Sequence, residues 1–250
     1  MAKPTPPGGP GGRPPGKAQP PQAAPPVQHL VVRYAKRGKM RFASHLDVAR
    51  AFERGVRRAG LPIAFSSGFN PHPKISYAGG APTGVASEAE YLSLGLSSVS
   101  DAEAVREQLN AALPDGIEVI DVAEREAGLP TSQLIASEWL VTLPGLPPPA
   151  VAPAVEAFLA LENAPVERLT SKGMRRMDAR TAVVSIDVDE DAAGSRATAL
   201  RMIVKHVVPA VRPDDVLTAL REFTGLAQDA SPLITRLAQG SVSESGVAMP

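Results

Sequence analysis

The sequence predicts an α+β protein made of two tandem ferredoxin-like modules, each with the element order β-α-β-β-α-β. Three observations lead to this prediction. Strand-like and helix-like patterns follow one another in that order over residues 29–128. Residues 129–240 approximately repeat the order. The chain of 250 residues is long enough for two small domains even when a Pro/Gly-rich N-terminal segment is set aside.

The N-terminal segment, residues 1–28, contains ten prolines and five glycines. Such a composition cannot bury enough apolar surface to offset the entropy lost on ordering, so a disordered tail is predicted. The joint between the modules is expected near Gly128–Ser132, and a flexible C-terminal tail is expected at 241–250.

Each element of the first module has a local signal. β-branched and aromatic residues mark the strands, apolar residues at helical spacing mark the helices, and Gly or Pro marks their ends. The predicted elements are a strand at His29–Ala35, a helix from Ser44 to about Ala59, a strand at Ile63–Ser66, a loop at Ser67–Ile75, a strand at Glu90–Leu96, a helix from Asp101 to about Leu113 and a strand at Gly116–Val122.

The second module is predicted from the same signals. Pro213 precedes its second helix, where proline is well tolerated at a helix start. The predicted elements are a strand at Glu138–Leu143, a helix at Pro149–Leu161, strands at Val166–Thr170, Thr181–Asp187 and Ala197–Val204, a helix at Asp214–Phe223 and a strand at Leu233–Ala238.

Several classes of function are excluded by composition. The chain has no cysteine, so disulfides, thiol catalysis, cysteine-ligated zinc and iron–sulfur clusters are excluded. No apolar run approaches 18 residues and the N-terminus lacks an apolar signal region, so neither a membrane span nor a signal peptide is predicted. A cytoplasmic protein without a cofactor fits these observations.

The net charge of zero conceals an uneven distribution of charge. Residues 1–28 carry a net charge of +3, residues 29–80 a net charge of +8, and residues 81–250 a net charge of −11. A dense basic stretch favours anionic partners, and nucleic acid is the first of these. The alternative is a solvated helix face that only keeps the protein soluble.

Much of the basic stretch falls on the first predicted helix. Ser44 and Asp47 form a variant of the capping box at its start. At about 100° per residue, four arginines face one side, away from Ala49, Phe52, Val56 and Ala59. We call these four arginines the arginine ridge: Arg50, Arg54, Arg57 and Arg58.

His45 lies on the apolar side of the same helical wheel, near Phe52 and Val56. It is predicted to face inward, either as a core residue or as a group that transfers a proton or orients a neighbour. His72 could approach it from the following loop. Two histidines without carboxylates at matching spacing are a weak metal signal, and no metal site is predicted.

The segment from Ser66 to Tyr77 combines stiffening prolines with Gly68, an aromatic residue and a cation. Phe69 could stack on a base while Lys74 binds a phosphate. The alternative is that Phe69 fills the core and the prolines only shape a crossover. The glycines at 79, 80 and 84 do not match the spacing of a phosphate-binding P-loop.

The chain resembles a known bacterial family in several motifs, in detail over about residues 29–125 and more thinly to about 225. The motifs contain Arg41, Ser44, His45, Asp47, Arg50, Gly68, Phe69, Pro71, Pro73, Lys74, Ser76, Glu90, Tyr91, Asp178 and Arg180. They resemble the radical-SAM-linked family, a domain of unknown function found beside or fused to radical S-adenosylmethionine proteins. Gly79–Pro82 departs from the more apolar stretch that is expected there.

The resemblance implies partners more than a reaction. It implies an association with a radical SAM protein or with a neighbouring ribonuclease of the E/G type, and the latter raises the expectation of work on RNA. The chain itself has none of the cysteines that a radical SAM cluster needs.

Three hypotheses for function follow. The first is a non-catalytic RNA-binding accessory protein, in which the arginine ridge contacts phosphates, Phe69 and Lys74 hold a nucleotide near the helix start, and further cations extend the basic track: Arg41, Lys172, Arg175 and Arg176. The second is a docking module for a radical SAM enzyme. The third is metal-independent RNA cleavage with His45 as the base and Arg41 or Lys74 stabilising the phosphorane.

Overall fold

The computed structural model describes residues 22–126, 129, 131–170, 173–189, 197–243 and 246–250. The fold is mixed α/β, with a large mixed sheet and few helices. The strands are β1 (Gln28–Lys36), β2 (Ile75–Tyr77), β3 (Ala86–Leu96), β4 (Ile117–Glu124), β5 (Ala136–Pro144), β6 (Pro165–Thr170), β7 (Gly173–Asp178), β8 (Val183–Asp189), β9 (Ala197–Lys205), β10 (Leu233–Ser243) and β11 (Gly246–Ala248). The helices are α1 (His45–Arg58), α2 (Ala102–Ala112), α3 (Pro148–Leu159), α4 (Ala179–Ala182) and α5 (Pro213–Thr224), with short 3-10 turns at Gly38–Phe42 and Thr131–Gln133.

One sheet runs through both halves of the chain. Its strand order is β4-β1-β3-β10-β5-β9-β8, with β2 paired to β3 and β11 paired to β10. The halves join where β10 lies parallel to β3, through the pairs Thr235–Ala86 and Arg236–Ser87. The other neighbours in this sheet are antiparallel, and β6 and β7 form a separate hairpin. The predicted modules therefore share one sheet, which strand patterns alone do not reveal.

The first half builds its core between the sheet and two helices. Alternate residues of β1 and β3 point to one face of the sheet, where they pack against Phe52 and Val56 of α1 and Leu109 of α2. Asp101 caps α2 by accepting a hydrogen bond from the amide of Ala104, as its position before the helix predicts.

The second half repeats this arrangement with α3 and α5. Trp139, Val141 and Leu143 of β5 alternate into a core with Phe158 and Leu220. Both helical layers lie on the same face of the sheet. This follows because the core-facing residues of β3 and β10 include Glu90 and Arg236, which contact each other across the joint.

The structure corrects two predicted elements around the Pro-rich loop. Ile63–Ser66 is not a strand, because Pro62 and Pro73 limit its pairing to isolated bridges at Ile63–Leu96 and Phe65–Pro73. The end of the predicted loop instead pairs with β3 as β2.

The predicted tails also differ from the structure. Gln28 belongs to β1, and its side-chain amide donates to Ser100 and Glu124, while Pro26 lies close to Gly95. Residues 1–21 lie outside the described residues. The predicted flexible C-terminal tail contains the end of β10 and the strand β11, which pair as Ser241–Ala248, Val242–Val247 and Ser243–Gly246.

The strand β7 and the short helix α4 were not expected from the sequence. Asp178 accepts hydrogen bonds from the amides of Arg180 and Thr181, which starts α4 where Thr181–Asp187 predicts a continuous strand. In the part of the chain that the structure describes, no helix is long and apolar enough to cross a membrane.

Candidate nucleic-acid interface

Helix α1 begins at the predicted capping box. The Asp47 amide donates to the Ser44 hydroxyl oxygen at 3.2 Å, and the Ser44 amide donates to the Asp47 carboxylate at 3.1 Å. The Ser44 hydroxyl donates to the same carboxylate at 2.6 Å. These hydrogen bonds to Ser44 lower the pKa of Asp47, and the charges of Arg50 and Arg54 act in the same direction. The start of α1 is therefore fixed by local contacts.

The arginine ridge is exposed along α1, opposite the buried residues Val48, Ala51, Phe52, Gly55 and Val56. Within the described ranges, no carboxylate lies within 4.0 Å of Arg50, Arg54 or Arg57. Arg58 differs, because its Nη1 donates to the carbonyl of Ala112 at 3.1 Å at the end of α2. Three of the four ridge cations thus have no competing ion pair in the structure, and the fourth joins α1 to α2.

His45 lies on the core side of α1 but is not buried. It is exposed at the first position of α1, and its ring lies edge-on to Tyr77 with the ring centres 5.3 Å apart. The helical wheel assigns the correct side of the helix, but it does not reveal that the first turn of α1 stays accessible to solvent. His45 instead borders a cavity of about 100 Å³ together with Lys36, Gly80 and Glu90.

Phe69 does not fill the core either. It lies in the loop between Ser66 and Pro73 and is 73% exposed. The loop is closed at its base, where the Ser66 amide donates to the carbonyl of His72 at 2.9 Å. Gly68 has a φ of +130°, a conformation that residues with a side chain rarely adopt. The hydrogen bond at its base and the conformation of Gly68 therefore give the loop a defined turn, and this turn exposes the ring of Phe69 to solvent.

Lys74 lies on the face of the sheet opposite α1. It borders a pocket with His29, Ser93 and Gly95. Ser93 and Gly95 alternate along β3 with Leu92 and Leu94, which pack towards α1. The structure therefore does not bring Lys74 to the start of α1, where the sequence-based hypothesis places it.

The remaining predicted cations have other surroundings. Arg41 donates from Nε to the carbonyl of Gly84 at 2.6 Å, so its guanidinium holds the chain between β2 and β3. Arg175 and Arg176 are exposed on β7, in the hairpin that packs against the second half. As neighbours on a strand they point to opposite faces of that hairpin. Lys172 lies outside the described residues.

Several motif residues form hydrogen bonds that hold the fold. Asp178 also accepts from the amide of Ala164, and Arg180 donates to the carbonyls of Leu159 and Val183. Pro73 forms an isolated β-bridge with Phe65, and Ser76 of β2 pairs with Ser93 of β3. Pro71 is exposed in the loop between Ser66 and Pro73. Tyr91 packs with Val31 and Leu134 on the face away from the helices.

Glu90 belongs to a buried charge cluster at the joint of the two halves. Its carboxylate accepts from Arg236 Nη1 at 3.1 Å and from the amide of Ala81 at 3.0 Å. Lys36 is also buried and donates to the carbonyls of Ala81 and Pro82. Burial lowers the pKa of Lys36, and the charge of Glu90 opposes that shift. We call Lys36, Glu90 and Arg236 the seam cluster.

The seam cluster was missed in the sequence because its members are far apart in the chain. A weak signal was present in each strand. Arg236 is separated by two positions from Ile234, which a strand directs to the same face, and Glu90 begins a strongly apolar run. Each is an isolated charge at a core-facing position, and such charges are rarely buried without a partner.

A family model described as "Uncharacterized protein conserved in bacteria (DUF2344)" matches residues 29–213. The chain belongs to this family. No curated protein matches the chain. Among solved structures, a similar chain is found in "Crystal Structure of a Cbf5-Nop10-Gar1 Complex", with 12% identity and a TM-score of 0.46. The alignment covers 83% of this chain and 47% of that chain, so the chain spans about half the length of the solved one. This similarity carries no argument about function.

Proposed function

We propose that this family member is a non-catalytic RNA-binding accessory protein in RNA modification or processing. The observation that carries the proposal is the arginine ridge. Arg50, Arg54 and Arg57 are exposed on one helix face and have no ion pair within the described chain. Like charges one helical turn apart repel each other. Phosphates spaced along an RNA strand would relieve that repulsion and release counterions.

The loop between Ser66 and Pro73 provides a second contact in this proposal. Exposed Phe69 would stack on a base, and Lys74 would bind a phosphate on the other face of the sheet. The short strand β2 connects the face that carries α1 with the face on which Lys74 lies. Tyr77 donates to the carbonyl of Ala49 in α1 at 3.4 Å, and Lys74 precedes it by three residues, about 10 Å along a strand. An RNA strand would bend around this exposed corner.

The wider context of the proposal comes from fold and resemblance. We interpret each half as a ferredoxin-like module, because the orders β4-β1-β3-β2 and β10-β5-β9-β8 both match a β-α-β-β-α-β chain. The hairpin β6–β7 is then an insertion in the second module. The resemblance to the radical-SAM-linked family suggests a radical SAM protein or an E/G-type ribonuclease as a neighbour, in the cytoplasm.

The proposal is tested by the salt dependence of binding to a single-stranded RNA. For single strands, the slope of log affinity against log salt is about −0.7 per neutralised phosphate. The variant Arg50→Gln/Arg54→Gln/Arg57→Gln should therefore flatten the slope by about 2. It should weaken binding to all sequences, because phosphate contacts carry no base information.

A matched control variant distinguishes the effect of the arginine ridge on binding from the effect of a lower net charge. The variant Arg125→Gln/Lys205→Gln/Arg221→Gln also removes three exposed cations, and it should leave most of the slope intact. Phe69→Ala should weaken binding by about 1–3 kcal/mol with little change in slope, because stacking releases few ions. An equal loss of slope in both triple variants would contradict the ridge as a binding site. Absence of RNA binding at low salt would refute the proposal.

A docking function is the second candidate, and one observation favours it. Phe42 is 66% exposed and Leu46 is 57% exposed, and both lie at the start of α1. They could contact a radical SAM enzyme. Phe42→Ser/Leu46→Ser should abolish such a complex and leave RNA affinity unchanged.

Metal-independent RNA cleavage is the third candidate, because exposed His45 borders a cavity beside Glu90. Arg41 is bonded to Gly84 and Lys74 is on the opposite face, which leaves both cations badly placed to assist His45. Cleavage that disappears in a folded His45→Ala variant would replace the binding proposal with this one.

A further inference from the structure

A second cavity lies at the joint between the two halves, on the side of the seam cluster away from His45. Its volume is about 220 Å³. One wall is formed by Gly79, Gly80 and Pro82 from the chain between β2 and β3. The opposite walls come from the second half of the chain: Trp139, Val204, His206, Ala210, Val211, Arg212 and Arg236.

Two of the residues that line this cavity carry a buried hydrogen-bond donor without a partner among the described residues. Trp139 Nε1 and Arg236 Nε are buried, and neither has a hydrogen-bond partner among the described residues. The two side chains are stacked, with the guanidinium carbon 4.6 Å from the centre of the indole ring. Buried donors are nearly always paired in folded proteins, so two of them on stacked side chains indicate a missing acceptor.

The direction of the Arg236 guanidinium identifies which edge is available. Its Nη1 donates to Glu90 and to the carbonyl of Gly79, both at 3.1 Å. The edge that carries Nε is left without a protein acceptor in the described chain. A guanidinium edge binds a carboxylate through two parallel hydrogen bonds.

The charged residues that line the cavity, Arg212 and Arg236, are both cations. The seam cluster places two buried cations, Lys36 and Arg236, beside one buried carboxylate, Glu90. Arg212 adds a further cation at the cavity wall, and no carboxylate is among the lining residues that the structure describes. His206 is engaged elsewhere, since its ring nitrogens contact Ser137 Oγ at 2.8 Å and the Leu134 carbonyl at 2.6 Å.

We propose that this cavity binds a small organic monocarboxylate, with the carboxylate on Arg236 and Trp139 and its apolar body against Pro82, Val204 and Val211. A cavity of about 220 Å³ holds roughly nine non-hydrogen atoms, scaling from the ~150 Å³ cavity that accommodates benzene. The ligand is therefore a compact acid of about the size of benzoate. The site is separate from the arginine ridge, so this proposal and RNA binding can fail independently.

The single tryptophan of the chain makes a direct test possible. The full-length protein has one indole N–H signal in a ¹H–¹⁵N correlation spectrum, and this signal reports Trp139 Nε1. Titration with benzoate should move it saturably to lower field, because the N–H gains a charged acceptor. Benzamide has the same shape without the charge. Its affinity should be at most about one tenth of the benzoate affinity, because one charge-assisted hydrogen bond is lost. Inorganic phosphate, which lacks an apolar body, should leave the signal in place.

Two variants verify the location by calorimetry. Trp139→Phe keeps a ring and removes the donor, so benzoate affinity should fall about tenfold. Ala210→Phe places a ring into the cavity from an exposed position and should abolish binding without unfolding the chain. The triple ridge variant should bind benzoate as the parent does.

Three outcomes would overturn the proposal. An indole signal that does not move with millimolar benzoate would mean that the donors are satisfied by water. Equal affinity for benzoate and benzamide would mean that no carboxylate site exists. Unchanged binding in folded Ala210→Phe would place benzoate elsewhere.

Discussion

Removal of the Glu90 carboxylate should destabilise the joint between the two halves. Glu90 is 3% exposed and is the acidic member of the seam cluster. Its carboxylate accepts from Arg236 and from the amide of Ala81, and it is the only carboxylate bonded to these two groups within the described residues. Glu90→Ala therefore leaves Arg236 and Lys36 buried without a compensating charge.

The magnitude follows from the burial of the pair. Removing one member of a buried ion pair costs about 3–5 kcal/mol, because the remaining charge stays buried without its partner. With a urea m-value near 2–3 kcal/mol/M for a chain of this size, the midpoint should fall by roughly 1–2.5 M. Glu90→Gln should cost less, because the amide oxygen can still accept one of the two hydrogen bonds.

The assay is urea unfolding, followed both by far-UV circular dichroism and by the fluorescence of Trp139, which lies against Arg236. Agreement of the two transitions tests whether unfolding is two-state. Glu103→Gln is the control. It removes the carboxylate of a surface ion pair with Arg106 and should leave the midpoint nearly unchanged.

A double variant tests the coupling directly. Glu90→Gln/Arg236→Met removes both members of the ion pair and should cost clearly less than the sum of the single changes, because Arg236 is then no longer buried opposite a missing carboxylate. Additive costs, or a loss below about 1 kcal/mol for Glu90→Ala, would refute the reasoning, because buried ion pairs that lose one member cost several times more.

Three further predictions concern parts of the chain outside the seam cluster. Phe158→Ala should cost about 3–5 kcal/mol in urea unfolding, because Phe158 is fully buried between α3 and the second half of the sheet; a loss below about 1 kcal/mol would contradict that packing. Asn110→Ala should cost about 1–3 kcal/mol, because its amide bonds both the amide and the carbonyl of Val119; a neutral effect would show that water replaces these bonds. Desolvation of the ring lowers the pKa of His206 from its ordinary 6.5, so folding favours the neutral form. The contribution of His206 to the free energy of unfolding is therefore complete above pH 6.5 and declines as the pH falls below that value. His206→Gln should show a smaller loss of melting temperature in acid than the parent, and equal losses would contradict this assignment.

Local signals in the sequence were sufficient for helix α1. A capping serine, an aspartate three residues later, apolar residues at helical spacing and Gly60 after the last turn all act within one helix. Their interactions depend on neighbours less than one turn away, and the structure confirms them. The predicted side of the helix is correct for His45, but the histidine is exposed, because a helical wheel assigns a side of the helix and not the depth of its first turn in the fold.

Contacts between distant segments could not be predicted in the same way. A strand pattern identifies Glu90–Leu96 as a strand without its neighbours, and β3 pairs in parallel with β10, about 150 residues later in the chain. The position of Lys74 likewise depends on strand pairing. Its charge is visible in the sequence, but the pairing of β2 with β3 decides on which face of the sheet the lysine lies.

The sequence by itself determined the mixed α/β class, most of the strands and helices, the exclusion of cysteine chemistry, the concentration of positive charge on α1 and the membership of Ser44 and Asp47 in a cap. These properties depend on composition or on residues within one turn of each other. Only the tertiary structure decided that the two halves share one sheet, that Glu90 and Arg236 meet at its centre and that Trp139 and Arg236 leave two donors unpaired beside a cavity. The physical reason is that strand pairing and charge burial join residues across more than a hundred positions, and a linear pattern specifies the face of each residue without specifying its partner.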